Sequence, residues 1–155
     1  MTEFPEPLQL MLNNRRLERI PANPQHVNSL IDTADRHFHT ARLLTETDDT
    51  AMAFTAAYDG TRKALVAVLA HVGLRVRPTG GAHRNTGIAV SLLVPESAQQ
   101  INTFEWMRQI RNSTEYPDLE HPTASTQDVQ EAITDGEAIL SICRNWIISQ
   151  HAVEN

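Results

Sequence analysis

Apolar residues recur at three- and four-residue steps along much of this chain, which is the spacing that lines one side of a helix. The pattern predicts a first long helix over residues 28–45 and a second one that ends at Gly73. Residues 48–50 supply a turn between the two helices and a side chain that can cap the second. Gly60 interrupts the second helix, and the close approach of another helix would explain a glycine there.

Further helices are predicted in the second half of the chain. One begins at Pro95 and ends before Pro117, with its apolar positions at Ile101, Phe104, Met107 and Ile110. Cap residues within 123–128 precede a closing helix that continues to the C-terminus. We assign a short helix to residues 88–94, because a strand there would have no predicted partner.

Prolines and glycines mark the remaining segments. Residues 1–27 contain four prolines, so this part is expected to be an arm with one short helix, around residues 8–19. Residues 74–87 contain three glycines and a proline among basic side chains, which is typical of a turn-rich loop. The predicted fold is therefore all-α: an up-and-down bundle of four to five helices over residues 28–155, with the arm packed on it.

Composition narrows the class of protein. The chain has 155 residues, of which 41% are hydrophobic, and no apolar run long enough to span a bilayer. Residues 1–12 do not resemble a secretory signal, so we expect a cytoplasmic protein. Its net charge of −6 argues against binding nucleic acid through overall charge, so any such site must be local.

Metal sites and disulfides find little support in the sequence. The single cysteine, Cys143, lies in an apolar segment and is expected to be buried. The seven histidines allow two pairs, His37 with His39 and His83 with His121, but none has the spacing of a known metal motif. We expect no metal and no cofactor.

The clearest candidate site lies at the end of the helix before Pro117. On a helical wheel one polar face holds Arg108, Arg111, Asn112 and Glu115, and the opposite side holds Trp106, Met107 and Ile110. A charged helix end in which Arg108 or Arg111 pairs with Glu105 or Glu115 is the alternative interpretation. Ile101 and Phe104 lie above the polar face, which predicts a second packing surface such as a homodimer interface.

Two segments together resemble the HEPN superfamily of helical, usually dimeric domains found in bacterial toxins, defence systems and RNA-processing enzymes. One is the stretch 57–65 with the basic residues after Gly73, which resembles the long second helix of stand-alone bacterial members. The other is Arg111-Asn112-Ser113-Thr114-Glu115-Tyr116-Pro117, which is similar to the family motif of an arginine, a polar residue, a spacer and a histidine. The resemblance covers residues 28–150.

The resemblance implies roles for particular residues. Arg111 would bind phosphate and Asn112 would orient an oxygen, while Glu115 and Tyr116 lie beside them as further candidate catalytic residues. Tyr116 stands where catalytic members carry the histidine. Arg108 and four residues of the basic loop, Arg75, Arg77, His83 and Arg84, are the candidate substrate-binding residues. Tyr58 is expected to be a core aromatic, or else to contact the motif face together with Arg62.

The leading interpretation is a homodimer that binds or cleaves RNA without a metal. Such cleavage needs a group that deprotonates the 2′-hydroxyl, a proton donor for the leaving oxygen and cations that stabilise the charged phosphate. The alternative is a non-catalytic module that binds a protein partner, such as a nucleotidyltransferase-type antitoxin. A third possibility is a helical dimerisation scaffold.

Overall fold

The chain folds almost entirely into helices, as seen in a computed structural model that describes residues 4–120 and 122–154. Two three-residue strands accompany them. The helices are α1 (Glu6–Asn13), α2 (Pro24–Leu44), α3 (Thr50–His71), α4 (Ala82–Leu93), α5 (Ala98–Ile101), α6 (Thr103–Glu115) and α7 (Thr126–Glu154). The strands are β1 (Leu17–Arg19) and β2 (Leu74–Val76), which pair in antiparallel fashion.

Local side-chain chemistry sets the ends of the two central helices. Asn23 accepts hydrogen bonds from the backbone N–H groups of Gln25 and His26, so α2 begins at Pro24, four residues earlier than predicted. The Asp49 carboxylate caps α3 by accepting from the Met52 N–H, and the left-handed backbone at Gly73 follows the end of that helix. The predicted turn, cap and stop of the second long helix are confirmed.

Helix α3 lies at the centre of the bundle and packs against α2, α4, α6 and α7. Phe38 of α2 sits where α2, α3 and α7 come together. A Cβ atom added to Gly60 would lie 2.9 Å from the Phe38 ring, and one added to Gly136 would lie 2.7 Å from it. The close packing predicted at Gly60 is confirmed, and Gly136 supplies the matching approach from α7.

The N-terminal segment differs from its prediction. Helix α1 ends at Asn13, and Arg15 adopts a positive φ of 60° that turns the chain. Leu17 then pairs with Val76 in the two-stranded ribbon, so the helix predicted over residues 8–19 is wrong beyond Asn13. Leu8 and Met11 bury one side of α1 in the core, while the division of domains at residue 27 stays a prediction.

The loop predicted over residues 74–87 is wrong at both ends. Its first three residues form β2, and its last six belong to α4, which starts after Gly81 in the left-handed conformation. The helix predicted over residues 88–94 is confirmed as the second half of α4. The continuous helix expected from Pro95 is instead a 3₁₀ turn (Pro95–Ser97) followed by α5 and α6, with a break at Asn102.

Helix α7 closes the bundle as predicted. Ser125 and Asp128 exchange two hydrogen bonds of 3.0 Å in a reciprocal cap just before the first turn. Cys143 is fully buried on this helix, and burial raises the pKa of its thiol to about 12.

The order of the helices confirms the predicted all-α bundle. Within the described residues, no helix has both the length and the apolar character needed to cross a bilayer.

Candidate functional site

Helix α6 turns its candidate arginines partly toward the core. Phe104, Met107 and Thr114 are buried, and their spacing of three and seven residues places Arg111 on the same stripe. The predicted wheel, with Met107 on the side opposite Arg111, is therefore wrong. Arg108 and Arg111 are only about one-quarter exposed, with side-chain values of 25% and 26%.

Tyr58 of α3 links three helices beneath these arginines. Its ring is fully buried and stacks on Phe104 of α6, with ring centroids 5.1 Å apart and planes 9° from parallel. The guanidinium carbon of Arg111 lies 5.7 Å from the centroid of the Tyr58 ring, within reach of a cation–π interaction. The Tyr58 hydroxyl and Nδ1 of His83, on α4, are hydrogen-bonded at 2.8 Å. The positive charges of Arg62 and Arg108 also act on Tyr58 and His83. We call Tyr58, Arg62, His83, Arg108 and Arg111 the Tyr58 cluster.

Phe104 and Ile101 do not form the second packing surface that was predicted from them. Both are 1% exposed within the single chain, and the Tyr58 ring covers Phe104. The apolar positions above the arginines therefore belong to the chain's own core. A homodimer stays a prediction, without support from these two residues.

Carboxylates of the same helices pair with the guanidinium groups of the cluster. Arg111 lies 2.8 Å from Glu115, and Arg108 binds Glu105 through two contacts of 2.6 and 2.9 Å. The pairing considered as an alternative is thus present for both arginines. Partly exposed pairs of this kind contribute only about 0–1 kcal/mol, so an incoming phosphate can replace the carboxylate at small cost.

Arg62 is less well satisfied than the other two arginines. Its Nε atom lies 3.9 Å from the Asp59 carboxylate and is buried without a hydrogen-bond partner. A buried donor without a partner is unfavourable, and an anion that reached it would remove that penalty.

Burial controls the protonation of the two neutral members of the cluster. It raises the pKa of Tyr58 to about 12, against the opposing effects of Arg111 and Arg62. Burial also lowers the pKa of His83, and the nearby charges of Arg62 and Arg111 lower it further. At neutral pH the cluster therefore presents a neutral phenol and a neutral imidazole among charged guanidinium groups.

The other motif residues lie at the surface. Asn112 is exposed, and Glu115 is exposed apart from its contact with Arg111. Tyr116, which takes the place of the motif histidine, is 75% exposed just after the end of α6. These three residues follow Arg111 in the chain, and of the three Glu115 contacts it.

The predicted basic loop is divided between two places. Arg75 pairs with Glu18 across the two-stranded ribbon at 2.6 Å, and Arg77 continues that ribbon through a backbone bond to Arg16. His83 instead joins the Tyr58 cluster. Arg84 lies beside it and lines a cavity of about 190 Å³ between α4 and α6. The interpretation of Arg75, Arg77, His83 and Arg84 as one basic surface is corrected.

The candidate metal pairs have no further ligands in the described residues, where no three His, Cys, Asp or Glu side chains are grouped to hold an ion. His37 is half-buried, and His39, two residues later on α2, is exposed. His83 directs Nδ1 to Tyr58, while His121 lies outside the described residues.

Sequence reasoning assigned no catalytic role to Tyr58 or Arg62, although it considered their contact with the motif face. The four-residue step between these side chains was a usable signal, since it places both on the same side of α3. What the sequence lacked was the packing of α4 across them. The position of Arg111 on the Phe104 stripe could also have been read from spacing alone.

Comparison with known proteins identifies the family. A model described as HEPN domain matches residues 27–146. No curated protein and no solved structure matches the chain. Since the family match spans well over half of the sequence, the chain belongs to the HEPN domain family.

Proposed function

We propose that this HEPN protein binds RNA at the Tyr58 cluster and cleaves it without a metal ion. The observation that carries the proposal is that the Arg111 guanidinium and the His83 imidazole both contact the buried Tyr58, with the charges of Arg62 and Arg108 acting on the same two neutral groups. Phosphate binding, cation stabilisation and proton transfer are the functions that cleavage of RNA through its 2′-hydroxyl requires. Membership of the HEPN family supports a nuclease, an RNA-binding protein or an interaction module in general.

Arg111 is the residue expected to hold the scissile phosphate. Its guanidinium is fixed against the Tyr58 ring and paired with a half-exposed carboxylate, Glu115, whose side chain is 44% accessible. A phosphodiester offers the same pair of oxygens as a carboxylate, so it can replace Glu115 in the same geometry. Asn112, one residue further along α6, is exposed and free to orient a ribose or phosphate oxygen.

The proposal is tested by incubating the purified protein with transfer RNA or total RNA in the presence of EDTA. We expect cleavage by the natural sequence, and losses of both binding and cleavage in Arg111→Ala. Arg144→Ala is the matched control, because Arg144 is also paired with a carboxylate, Asp35, but on α7 and α2. Absence of both binding and cleavage, or equal activity in the two variants, would contradict the proposal.

We also propose that the protein acts as a homodimer. Exposed apolar side chains on α4 and after α6 support this arrangement, since Ile88 is 39% exposed and Leu119 fully exposed. A two-fold contact would bring two copies of the same surface together. Sedimentation equilibrium should give twice the chain mass, and a concentration-independent monomer would refute the dimer.

A non-catalytic interaction module is the second candidate. The observation that favours it is Tyr116, whose largely exposed ring stands with Leu119 on the segment after α6. Exposed aromatic and aliphatic side chains are common anchors of protein interfaces, so this segment would bind a protein such as an antitoxin of the nucleotidyltransferase type. Binding of RNA without turnover, with cleavage created by Tyr116→His, would favour this function over the first.

A further inference from the structure

We propose that His83 is the catalytic base of this site, taking the proton from the 2′-hydroxyl while Arg111 holds the adjacent phosphate. The inference rests on the proposed RNA-cleaving function. It assigns proton transfer to α4, outside the Arg111–Tyr116 segment. Among the described members of the Tyr58 cluster, His83 is the side chain whose ordinary pKa lies near neutrality.

Geometry positions the imidazole for this role. The contact between Nδ1 and the Tyr58 hydroxyl, 2.8 Å long, positions the ring, so Nε2 is the ring nitrogen that this contact does not use. The assignment requires the tautomer in which Nδ1–H donates to the Tyr58 oxygen, a direction that the neutral phenol, with a pKa of about 12, allows at neutral pH. In that tautomer Nε2 carries a lone pair, which is the requirement for a base. Tyr58 is thus a positioning residue.

The charges that face His83 favour release of the proton it takes up. Arg62 of α3 and Arg108 and Arg111 of α6 disfavour the imidazolium, while Asp59 of α3 favours it. Burial first, and then the balance of these charges, lowers the pKa of His83, so the ring is neutral before reaction. A bound phosphodiester would partly offset the three guanidinium charges and make the ring a stronger base when substrate is present.

The reaction conserves atoms and charge. Nε2 takes the proton of the 2′-hydroxyl, O2′ forms a bond to phosphorus, and the bond from phosphorus to O5′ breaks. The leaving oxygen takes a proton from water, and the hydroxide that remains takes the proton from the His83 imidazolium, which returns the ring to its neutral form. The products are a 2′,3′-cyclic phosphate and a 5′-hydroxyl end, and no oxidant, reductant or metal takes part.

Single-turnover cleavage of a short RNA tests the assignment. His83→Gln should cleave about 10²–10⁴-fold more slowly, the usual contribution of a general base, while its RNA affinity stays close to that of the natural sequence. His39→Gln is the matched control, because His39 is an exposed histidine of α2. The natural protein should lose activity as acid protonates His83, and that acid limb should vanish in the variant. Added imidazole should restore part of the cleavage by His83→Ala.

The outcomes separate this assignment from the function on which it rests. If the natural protein cleaves RNA and His83→Gln cleaves equally well, the base is another group and only the His83 assignment fails. If the natural protein binds RNA through Arg111 without cleaving it, the cleavage function itself fails. Should the variants not fold, the imidazole resonance of His83 in the natural protein can be titrated with and without a 2′-O-methyl oligonucleotide. A rise in the His83 pKa on binding supports the assignment, and an unchanged pKa overturns it.

Discussion

Replacement of Gly136 by alanine offers a direct test of how the three central helices meet. A Cβ at this position would lie 2.7 Å from two carbons of the Phe38 ring and closer still to the Thr61 hydroxyl. The backbone of Gly136 is helical, so intrinsic propensity alone predicts that Gly136→Ala stabilises the protein by about 1 kcal/mol. The packing predicts the opposite sign.

The size of the effect follows from the number of atoms that must move. Overpacking a close-packed core usually costs about 1–3 kcal/mol, and here two neighbouring helices must give way at once. A cost in the upper part of that range, less about 1 kcal/mol of propensity, leaves a net destabilisation of about 1–2 kcal/mol. In a domain of this length such a change lowers the Tm by about 2–8 °C.

Thermal and urea unfolding followed by circular dichroism would measure the change. Gly80→Ala is the control, because a Cβ there meets no atom within 4 Å, and it should change stability by less than about 0.5 kcal/mol. An unchanged or higher Tm for Gly136→Ala would show that α7 does not approach Phe38 as closely as described.

Three further predictions concern protonation, ion pairing and the single thiol. Burial lowers the pKa of His37, so the folded state takes up its proton less readily than the unfolded state. The contribution of His37 to the free energy of unfolding should be fully present above about pH 6.5 and should be lost as the pH falls below it. Urea titrations at a series of pH values should show a smaller loss of this free energy in His37→Gln. Glu115→Gln removes the carboxylate that competes with phosphate for Arg111, so RNA binding measured by fluorescence anisotropy should tighten by less than about fivefold. Weaker binding would contradict the displacement of Glu115 by phosphate. Cys143, buried and with a pKa of about 12, should react with a thiol reagent only as the protein unfolds, and rapid labelling of the folded protein would contradict its burial.

Local sequence patterns predicted the helices that have a clear period of apolar residues and the helix end that has a capping residue. The positions of α2, α3 and α7 follow from apolar spacing, and the Asp49 cap follows from residue type. The β ribbon could not be predicted in this way, because two three-residue strands have too few positions to show a period. The pairing of Glu18 with Arg75 joins segments 57 residues apart, and only the tertiary fold brings them together.

The candidate site likewise has one part that could be predicted from a single segment and one part that depends on the packing of separate helices. Arg111 and its neighbours were found from one continuous segment, including their pairing with Glu105 and Glu115 as an alternative. The contact between His83 and Tyr58 depends on the packing of α4 over α3, which no spacing within either helix encodes. His83 was therefore expected in a basic, turn-rich loop, whereas the fold places it on α4 in contact with the buried Tyr58.

Arg111 occupies a position that packing alone would give to an apolar residue, since it continues the stripe of Phe104 and Met107 over the Tyr58 ring. A partly desolvated guanidinium is costly, and its cation–π contact and the Glu115 pair offset only part of that cost. If the arginine is retained for phosphate, Arg111→Leu should keep or raise the Tm while RNA binding is lost. Arg111→Lys, which keeps the charge but lacks the planar fork, should bind RNA at an intermediate level. A large fall in Tm for Arg111→Leu would instead give the guanidinium a structural role, and RNA binding equal to that of the natural sequence would remove Arg111 from the site.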